Sequence, residues 1–259
     1  MEYSSILNTI VIVVVFYLFF GAFLYFFQNS MIYFPDNQDF EECPHLLDYE
    51  KLNHEGTRFY LKRQSNDIIV YYHGNAGSAC DRGQFKTVFE RTNKSVMFVE
   101  YAGYSNDDRR PSTKLILQDV ENVNDFILSE GFESVTVYGQ SIGAGAASYH
   151  ASIGSVSKVV LTSPFDTMKN LAQSKYPIYP ASILLREDYY NVNWLSGFEG
   201  QVHIFHGSSD RIIPTRFSLR LYESLDLEDK SYTIIEGAGH NDIWNFEDFR
   251  RKLSEVLSR

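Results

Sequence analysis

The chain contains a Gly-x-Ser-x-Gly pattern that could present a nucleophilic serine, Gly139-Gln140-Ser141-Ile142-Gly143. The pattern follows a short apolar run, residues 134–138, and precedes small residues suited to a closely packed helix. At such a strand–turn–helix junction the serine adopts a strained backbone that lifts its hydroxyl above the sheet, and the flanking glycines leave room for it. An ordinary glycine- and serine-rich turn would have the same pattern, so the rest of the chain must distinguish the two.

A serine hydroxyl is a weak nucleophile unless an imidazole takes its proton and a carboxylate orients that imidazole. Asp210 and His240 follow Ser141 in the chain order Ser, Asp, His, and each lies in a loop directly after a predicted strand. In a parallel sheet, the carboxyl ends of the strands meet at the edge where ligands bind. Asp166 also follows a predicted strand and is the alternative acid. We prefer Asp210 because its strand is the last one before the strand that leads to His240.

A glycine-containing loop, residues 73–77, comes immediately after the predicted strand 67–72. Such a loop can turn backbone N–H groups inward to hold a developing oxyanion. By itself the loop would be read as a simple turn. Combined with the serine pattern some 65 residues later, it is better explained as an oxyanion hole.

Apolar strands alternate with helices along most of the chain, which is typical of a mostly parallel sheet covered by helices on both faces. A predicted β-hairpin, 49–62, comes before these units. An aromatic, proline-punctuated insertion, 167–200, interrupts them, and we expect it to form a small cap over the site; a packing-only role is the alternative. The predicted strands cover 67–72, 95–101, 134–138, 158–162, 202–205 and 232–235, and the predicted helices include 111–130 and 214–225.

The N-terminal residues 6–27 contain no charged side chain, and the uncharged run extends from residue 3 to residue 35. Twenty-two residues at about 1.5 Å each roughly match a hydrocarbon core of ~30 Å. We therefore divide the chain into a transmembrane anchor, 1–30, and a catalytic domain, 31–259. A buried core helix and a cleaved signal peptide are the alternatives. The side of the membrane is not predicted, because no Lys or Arg flanks the segment.

Composition narrows the possible partners. The chain has 259 residues, 44% of them hydrophobic, and a net charge of −10. No basic stripe with interleaved aromatic residues is present, so nucleic acid is not expected as a partner.

Cys43 and Cys80 are too few for a disulfide framework and lack metal-ligand spacing, so they do not identify a redox compartment.

Together, these motifs resemble those of the membrane-anchored α/β-hydrolase-domain serine hydrolases. Within that group the chain is similar to the single-pass branch whose relatives include lysophospholipid lipases and protein depalmitoylases. The resemblance implies an α/β-hydrolase fold, a triad of Ser141, Asp210 and His240, and oxyanion-hole N–H groups from Asn75 and Ile142. It covers nearly the whole chain and rests on the anchor, on Tyr33-Phe34-Pro35 and on motifs at 73–77, 101–104, 139–143, 206–210 and 239–240. The family's usual Asp-Tyr-Arg-Gly-Tyr-Gly is replaced here by residues 100–105, Glu-Tyr-Ala-Gly-Tyr-Ser, a departure outside the triad.

The sequence thus predicts a serine hydrolase of ester or thioester bonds, held on a membrane by one N-terminal helix and needing no metal or organic cofactor. The expected partners are membrane lipid and a substrate that is an acyl ester, a lysophospholipid or an acylated protein. We expect the cap to border an apolar acyl pocket facing the membrane. Two other functions stay open: a catalytically silent, membrane-tethered binding or scaffold protein, and a serine peptidase.

Overall fold

An eight-stranded sheet forms the centre of the molecule. The computed structural model describes residues 2–259, so Met1 of the predicted anchor lies outside the described residues. The strands are β1 (Glu50–His54), β2 (Thr57–Lys62), β3 (Asp67–Tyr72), β4 (Ser95–Glu100), β5 (Ser134–Gln140), β6 (Val156–Thr162), β7 (Gln201–Gly207) and β8 (Lys230–Ile235).

The strand order is β1-β2-β4-β3-β5-β6-β7-β8. β1 and β2 form the predicted hairpin, and β2 also pairs antiparallel with β4. The remaining neighbours are parallel. The prediction of a mostly parallel sheet is therefore confirmed, and the loops after β3, β5, β7 and β8 meet at one edge.

Helices cover both faces of the sheet because successive strand side chains point to opposite sides. Ile68 and Val70 of β3 enter one apolar core, whereas Ile69 and Tyr71 enter the other. The helices are α1 (Glu2–Ile32), α2 (Ala79–Arg82), α3 (Lys86–Glu90), α4 (Thr113–Glu130), α5 (Gly143–Ile153), α6 (Met168–Lys175), α7 (Ala181–Leu184), α8 (Asn191–Leu195), α9 (Thr215–Ser224) and α10 (Glu247–Ser258). Helices α4, α5 and α9 contribute to the first core, and α3 and α10 contribute to the second.

The bounds of α4 show how local sequence sets the element ends. The helix begins two residues later than predicted because Ser112 is its N-cap, and the Ser112 side chain accepts a hydrogen bond from the Leu115 N–H at 3.3 Å. It ends at Gly131, whose φ of 73° closes the helix with a left-handed residue. The predicted stop at Gly131 is correct for this reason.

Helix α1 is 31 residues long, or about 46 Å, and is long and apolar enough to cross a membrane. Only 11% of its most apolar window is buried, which argues against a core helix. Ile10 and Phe19 are 54% and 70% exposed, whereas Leu24 and Gln28, nearer the C-terminal end, are buried. One part of α1 therefore projects from the domain and another part packs against it.

Cys43 and Cys80 form a disulfide bond. The sequence left their role open, and a separation of 37 residues did not indicate that they pair. Both side chains are fully buried, with Cα atoms 5.6 Å apart. The bond joins the segment after α1 to the start of α2, which directly follows the predicted oxyanion loop.

Candidate active site

Ser141 lies in the tight turn between β5 and α5, at the carboxyl edge of the sheet. Its φ is 55°, the left-handed strain that the sequence pattern predicts. A Cβ at Gly139 would lie 2.4 Å from the Gly143 carbonyl oxygen. A Cβ at Gly143 would lie 2.2 Å from the Tyr72 carbonyl oxygen. Both positions therefore require glycine because backbone atoms occupy the space of a side chain.

The structure brings Ser141, His240 and Asp210 into one hydrogen-bonded chain. The Ser141 Oγ lies 2.9 Å from His240 Nε2, and His240 Nδ1 lies 2.7 Å from Asp210 Oδ2. With Nδ1 protonated and donating to the carboxylate, Nε2 is free to accept the serine proton. His240 lies 99 positions after Ser141 and 30 positions after Asp210 in the sequence. The ends of the parallel strands bring the three residues together.

Asp210 is held as an ionised acceptor. Its Oδ1 accepts hydrogen bonds from the backbone N–H groups of Ile212 and Ile213, at 2.9 and 2.8 Å. Burial raises the pKa of the Asp210 carboxyl. Hydrogen bonds from His206, His240 and the Ile213 N–H, together with the charge of His240, lower it by more, so the pKa lies below its usual value. The carboxylate thus keeps its negative charge next to the imidazole at neutral pH.

Asp166, the alternative acid, serves another part of the molecule. Its Oδ2 accepts hydrogen bonds from Asn170 Nδ2 at 2.7 Å and from Arg220 Nη1 at 3.4 Å. Among the hydrogen bonds of residues 2–259, none joins Asp166 to His240. The geometry therefore favours the sequence's preference for Asp210.

The loop after β3 lies against the nucleophile, since a Cβ at Gly74 would sit 3.4 Å from Ser141 Cβ. Asn75 and Ile142, the predicted oxyanion-hole residues, both line the cavity that contains Ser141. The Asn75 side chain is fixed in place: its Oδ1 accepts hydrogen bonds from Phe34 N at 2.9 Å, Ala76 N at 2.8 Å and Tyr104 Oη at 3.2 Å. Within the described part of the chain, the backbone N–H groups of Asn75 and Ile142 make no hydrogen bond to protein. Neither N–H group is therefore occupied by an internal hydrogen bond, as the predicted oxyanion hole requires.

An apolar cavity of about 860 Å³ opens above the triad. Ser141 and His240 lie on its floor, and the predicted cap supplies one wall through α6, α7 and the segments beside them. Apart from Lys175, the cap residues in that wall are apolar or aromatic: Met168, Leu171, Ala172, Tyr176, Tyr179, Ala181, Leu184 and Leu185. Such a lining suits a long hydrocarbon chain with its reactive end at the serine.

Helix α1 also contributes to this cavity, which was not seen from the sequence patterns. Leu24, Gln28, Met31 and Ile32 of α1 form part of the cavity wall. Polar residues at the end of the uncharged run could have revealed this contribution, because polar side chains are unfavourable in a membrane core. Gln28, for example, accepts a hydrogen bond from Arg186 N at 2.6 Å and donates one to Leu184 O at 3.0 Å.

A second contact that the sequence did not reveal fixes the end of α1 to the domain. The buried Glu187 carboxylate accepts hydrogen bonds from Asn29 Nδ2 at 3.0 Å, Tyr33 Oη at 3.1 Å and Thr113 N at 2.6 Å. One side chain of the cap thus joins the end of α1 to the first turn of α4.

No group of three or more metal-ligating side chains occurs within residues 2–259.

Comparison with known proteins identifies the fold. No protein-family model matches the chain. The human alpha/beta hydrolase domain-containing protein 17B is 26% identical over 207 residues, 74% of this chain and 66% of the human protein. A Pyrococcus furiosus esterase superposes with a TM-score of 0.70 at 17% identity, covering 87% of this chain and 98% of the esterase. A Paleococcus ferrophilus monoacylglycerol lipase superposes with a TM-score of 0.60 at 19% identity, covering 78% of this chain and 98% of the lipase. The predicted α/β-hydrolase fold is confirmed, and these similarities support a hydrolase.

Proposed function

We propose that this α/β-hydrolase-domain protein is a membrane-anchored serine hydrolase that cleaves the ester or thioester bond of acyl substrates. The observation that carries the proposal is the hydrogen-bonded chain Ser141–His240–Asp210 at the floor of an apolar cavity. The esterase and lipase names of its relatives support ester hydrolysis in general. The triad adds the mechanism, and the cavity adds the preference for acyl chains.

In the proposed mechanism, His240 Nε2 takes the proton of Ser141 as Oγ bonds to the acyl carbonyl carbon. The negative charge on the carbonyl oxygen is held by the backbone N–H groups of Asn75 and Ile142. Asp210 stabilises the imidazolium and keeps its orientation. His240 then protonates the departing alcohol or thiol, which leaves an acyl-serine. Water, deprotonated by His240, attacks that acyl-serine, and Ser141 recovers its proton as the fatty acid leaves. These steps need no metal or organic cofactor.

We further propose that α1 is an uncleaved anchor. A cleaved signal peptide is removed from the mature protein, so its residues take no part in the folded domain. Leu24, Gln28, Met31 and Ile32 instead wall the cavity, and Gln28 and Asn29 bond to the cap. Cleavage near the end of α1 would open the acyl site to water, which favours retention of the helix.

The disulfide favours one side of the membrane. Disulfide bonds persist in oxidising compartments and are rare in the cytosol. The fully buried Cys43–Cys80 bond therefore supports placing the catalytic domain on the non-cytosolic side. Acyl esters and lysophospholipids of that leaflet are then preferred over acylated cytosolic proteins as substrates. Protease protection of sealed membranes tests the orientation: cleavage by protease added on the cytosolic side would contradict it.

The experiment that tests the proposed activity compares wild-type protein with Ser141→Ala on acyl esters, acyl-CoA, lysophospholipids, acylated peptides and unmodified peptides. We expect turnover of acyl esters or thioesters by the wild type and none by Ser141→Ala, with equal thermal stability. No turnover of any compound would favour the scaffold alternative, and turnover of unmodified peptides alone would favour the peptidase.

A further inference from the structure

The part of the cap nearest α1 has an unusual composition for a protein surface. Residues 176–185, here called the cap tip, read Tyr-Pro-Ile-Tyr-Pro-Ala-Ser-Ile-Leu-Leu and contain no charged side chain. Lys175 and Arg186 flank this stretch directly. Ile178 and Ile183 are 70% and 73% exposed, so they are not needed to fill a core. An exposed apolar segment between two cationic residues is typical of a surface that contacts lipid.

The cap tip packs along α1 well before the helix ends. The rings of Tyr17 and Tyr179 stack at 4.7 Å, and Phe20 lies 5.4 Å from Tyr179. Tyr17 Oη donates to the Ile178 carbonyl at 2.9 Å, and Tyr179 Oη donates to the Tyr17 carbonyl at 3.3 Å. The phenol groups thus find partners within the contact, as a hydrocarbon environment requires.

The position of this contact along α1 determines its depth, given the proposed anchor. A bilayer core of ~30 Å takes about 20 helical residues. The uncharged run begins at Tyr3, so a span of that length ends no earlier than residue 22. Tyr17 lies five residues before that point, about 7 Å inside the hydrocarbon boundary. Tyr179 and Ile178 contact Tyr17 and must lie at a similar depth.

Arg186 independently indicates where the boundary lies. Its guanidinium sits 4.6 Å from the ring centroid of Tyr25 and donates to the Tyr25 carbonyl at 3.1 Å. Tyr25 is three residues beyond residue 22, about 4 Å outside the hydrocarbon for the earliest span. Cationic and tyrosine side chains favour that headgroup level. A later span would draw Arg186 into hydrocarbon at considerable cost, so the earliest span fits best.

From these contacts we propose that the cap tip inserts into the lipid leaflet beside α1 through Ile178 and Tyr179, and that the active-site cavity receives its acyl chain laterally from that leaflet. The cavity runs from Leu24 and Tyr179 at the membrane level to Ser141 and His240 at the catalytic end. The transmembrane helix is therefore one wall of the acyl-binding site as well as a tether. The proposal rests on the proposed membrane-anchored hydrolase and identifies its substrates as amphiphiles already dissolved in the leaflet.

Fluorescence quenching tests the insertion without requiring catalysis. The chain's two cysteines are paired, so Ile178→Cys supplies a single reactive thiol for a bimane label at the depth of Tyr17. Leu128→Cys is the matched control, because Leu128 is 60% exposed on α4, at the opposite end of the sheet from the cap. Both are made in full-length Ser141→Ala protein in phosphatidylcholine vesicles. We expect brominated lipid chains to quench the label at 178 at least twofold while aqueous iodide does not, and the reverse at 128. Iodide quenching at 178 equal to that at 128 would overturn the proposal.

Kinetics with charged variants test lateral entry. Ile178→Asp should lose at least tenfold in rate on p-nitrophenyl palmitate dissolved in phosphatidylcholine vesicles, because the carboxylate opposes insertion of the cap tip. Its rate on water-soluble p-nitrophenyl acetate should stay within twofold, and Leu128→Asp should keep both rates. Equal losses on the two esters, or a palmitate loss below twofold, would refute lateral entry. If the wild type hydrolyses neither ester, the proposed activity fails, whereas the quenching result still decides where the cap tip lies.

Discussion

Replacing Asp210 by asparagine exchanges one carboxylate oxygen for an NH₂ group, and the surrounding hydrogen bonds determine where that group lies. Oδ1 of Asp210 accepts two backbone hydrogen bonds, from Ile212 and Ile213. An asparagine must keep its carbonyl oxygen at that position, because its amide nitrogen cannot accept from those N–H groups. The new NH₂ group then faces His240 Nδ1, where the carboxylate oxygen stood 2.7 Å away.

The imidazole responds by changing tautomer. Nδ1 must become the acceptor, so the proton moves to Nε2 and points at Ser141, 2.9 Å away. A protonated Nε2 cannot take the serine proton. In the chymotrypsin-type triad the same substitution lowers kcat by about 10⁴, roughly 5.4 kcal/mol of transition-state stabilisation. We expect a loss of that order in kcat/KM for Asp210→Asn on a soluble short-chain ester.

Asp166→Asn is the matched control. It makes the same chemical change in a buried aspartate that bonds to Asn170 and Arg220. We expect its kcat/KM to stay within about threefold of wild type, which is below ~1 kcal/mol. Thermal unfolding of both variants establishes that each is folded. A loss below tenfold for Asp210→Asn, or a larger loss for Asp166→Asn, would refute the assignment of the acid.

Two further predictions concern stability. Replacing Cys43 and Cys80 together by serine should lower the free energy of unfolding by about 4 kcal/mol, because the disulfide closes a loop of 37 residues. Denaturant unfolding measures this change, and a loss below ~1 kcal/mol would contradict the prediction. Burial lowers the pKa of His150 from 6.5 to about 3. Because the unfolded chain takes up this proton at higher pH than the folded one, the stabilisation is complete above pH ~6.5 and is lost as pH falls, by about 2 kcal/mol at pH 5. His150→Gln should remove that part of the pH dependence of the urea midpoint, and an unchanged slope would contradict the assignment.

The serine turn and the alternation of strands and helices were predictable because local sequence determines them. The turn needs glycine at 139 and 143, where backbone atoms leave no room for a side chain, and this requirement is visible in the sequence. The placement of Asp210 and His240 after neighbouring strands was also predictable, since strand order follows chain order in this half of the sheet. Strands β5 to β8 extend one or two residues beyond their predicted bounds because pairing with neighbours lengthens them: Gln140 joins β5 by pairing with Thr162. Strand β4 instead ends one residue before its predicted end, at residue 100.

Long-range contacts could not be predicted in the same way. The Cys43–Cys80 bond depends on the path of the intervening hairpin and β3, which no pattern near either cysteine encodes. The side of α1 that packs on the cap could not be predicted from the sequence for a physical reason. A helix that is apolar all round has no periodicity to separate a lipid-facing side from a protein-facing side. The short helices α2 and α3 span too few residues to show a helical period.

The most direct test of the central claim is reaction of the full-length protein with a fluorophosphonate, which phosphonylates a serine only when its hydroxyl is activated. Peptide mass spectrometry then locates the adduct. We expect one adduct on Ser141, absent from Ser141→Ala and from heat-denatured protein, and strongly reduced in Asp210→Asn. No adduct on folded protein, or an adduct on a different serine that persists in Ser141→Ala, would contradict it.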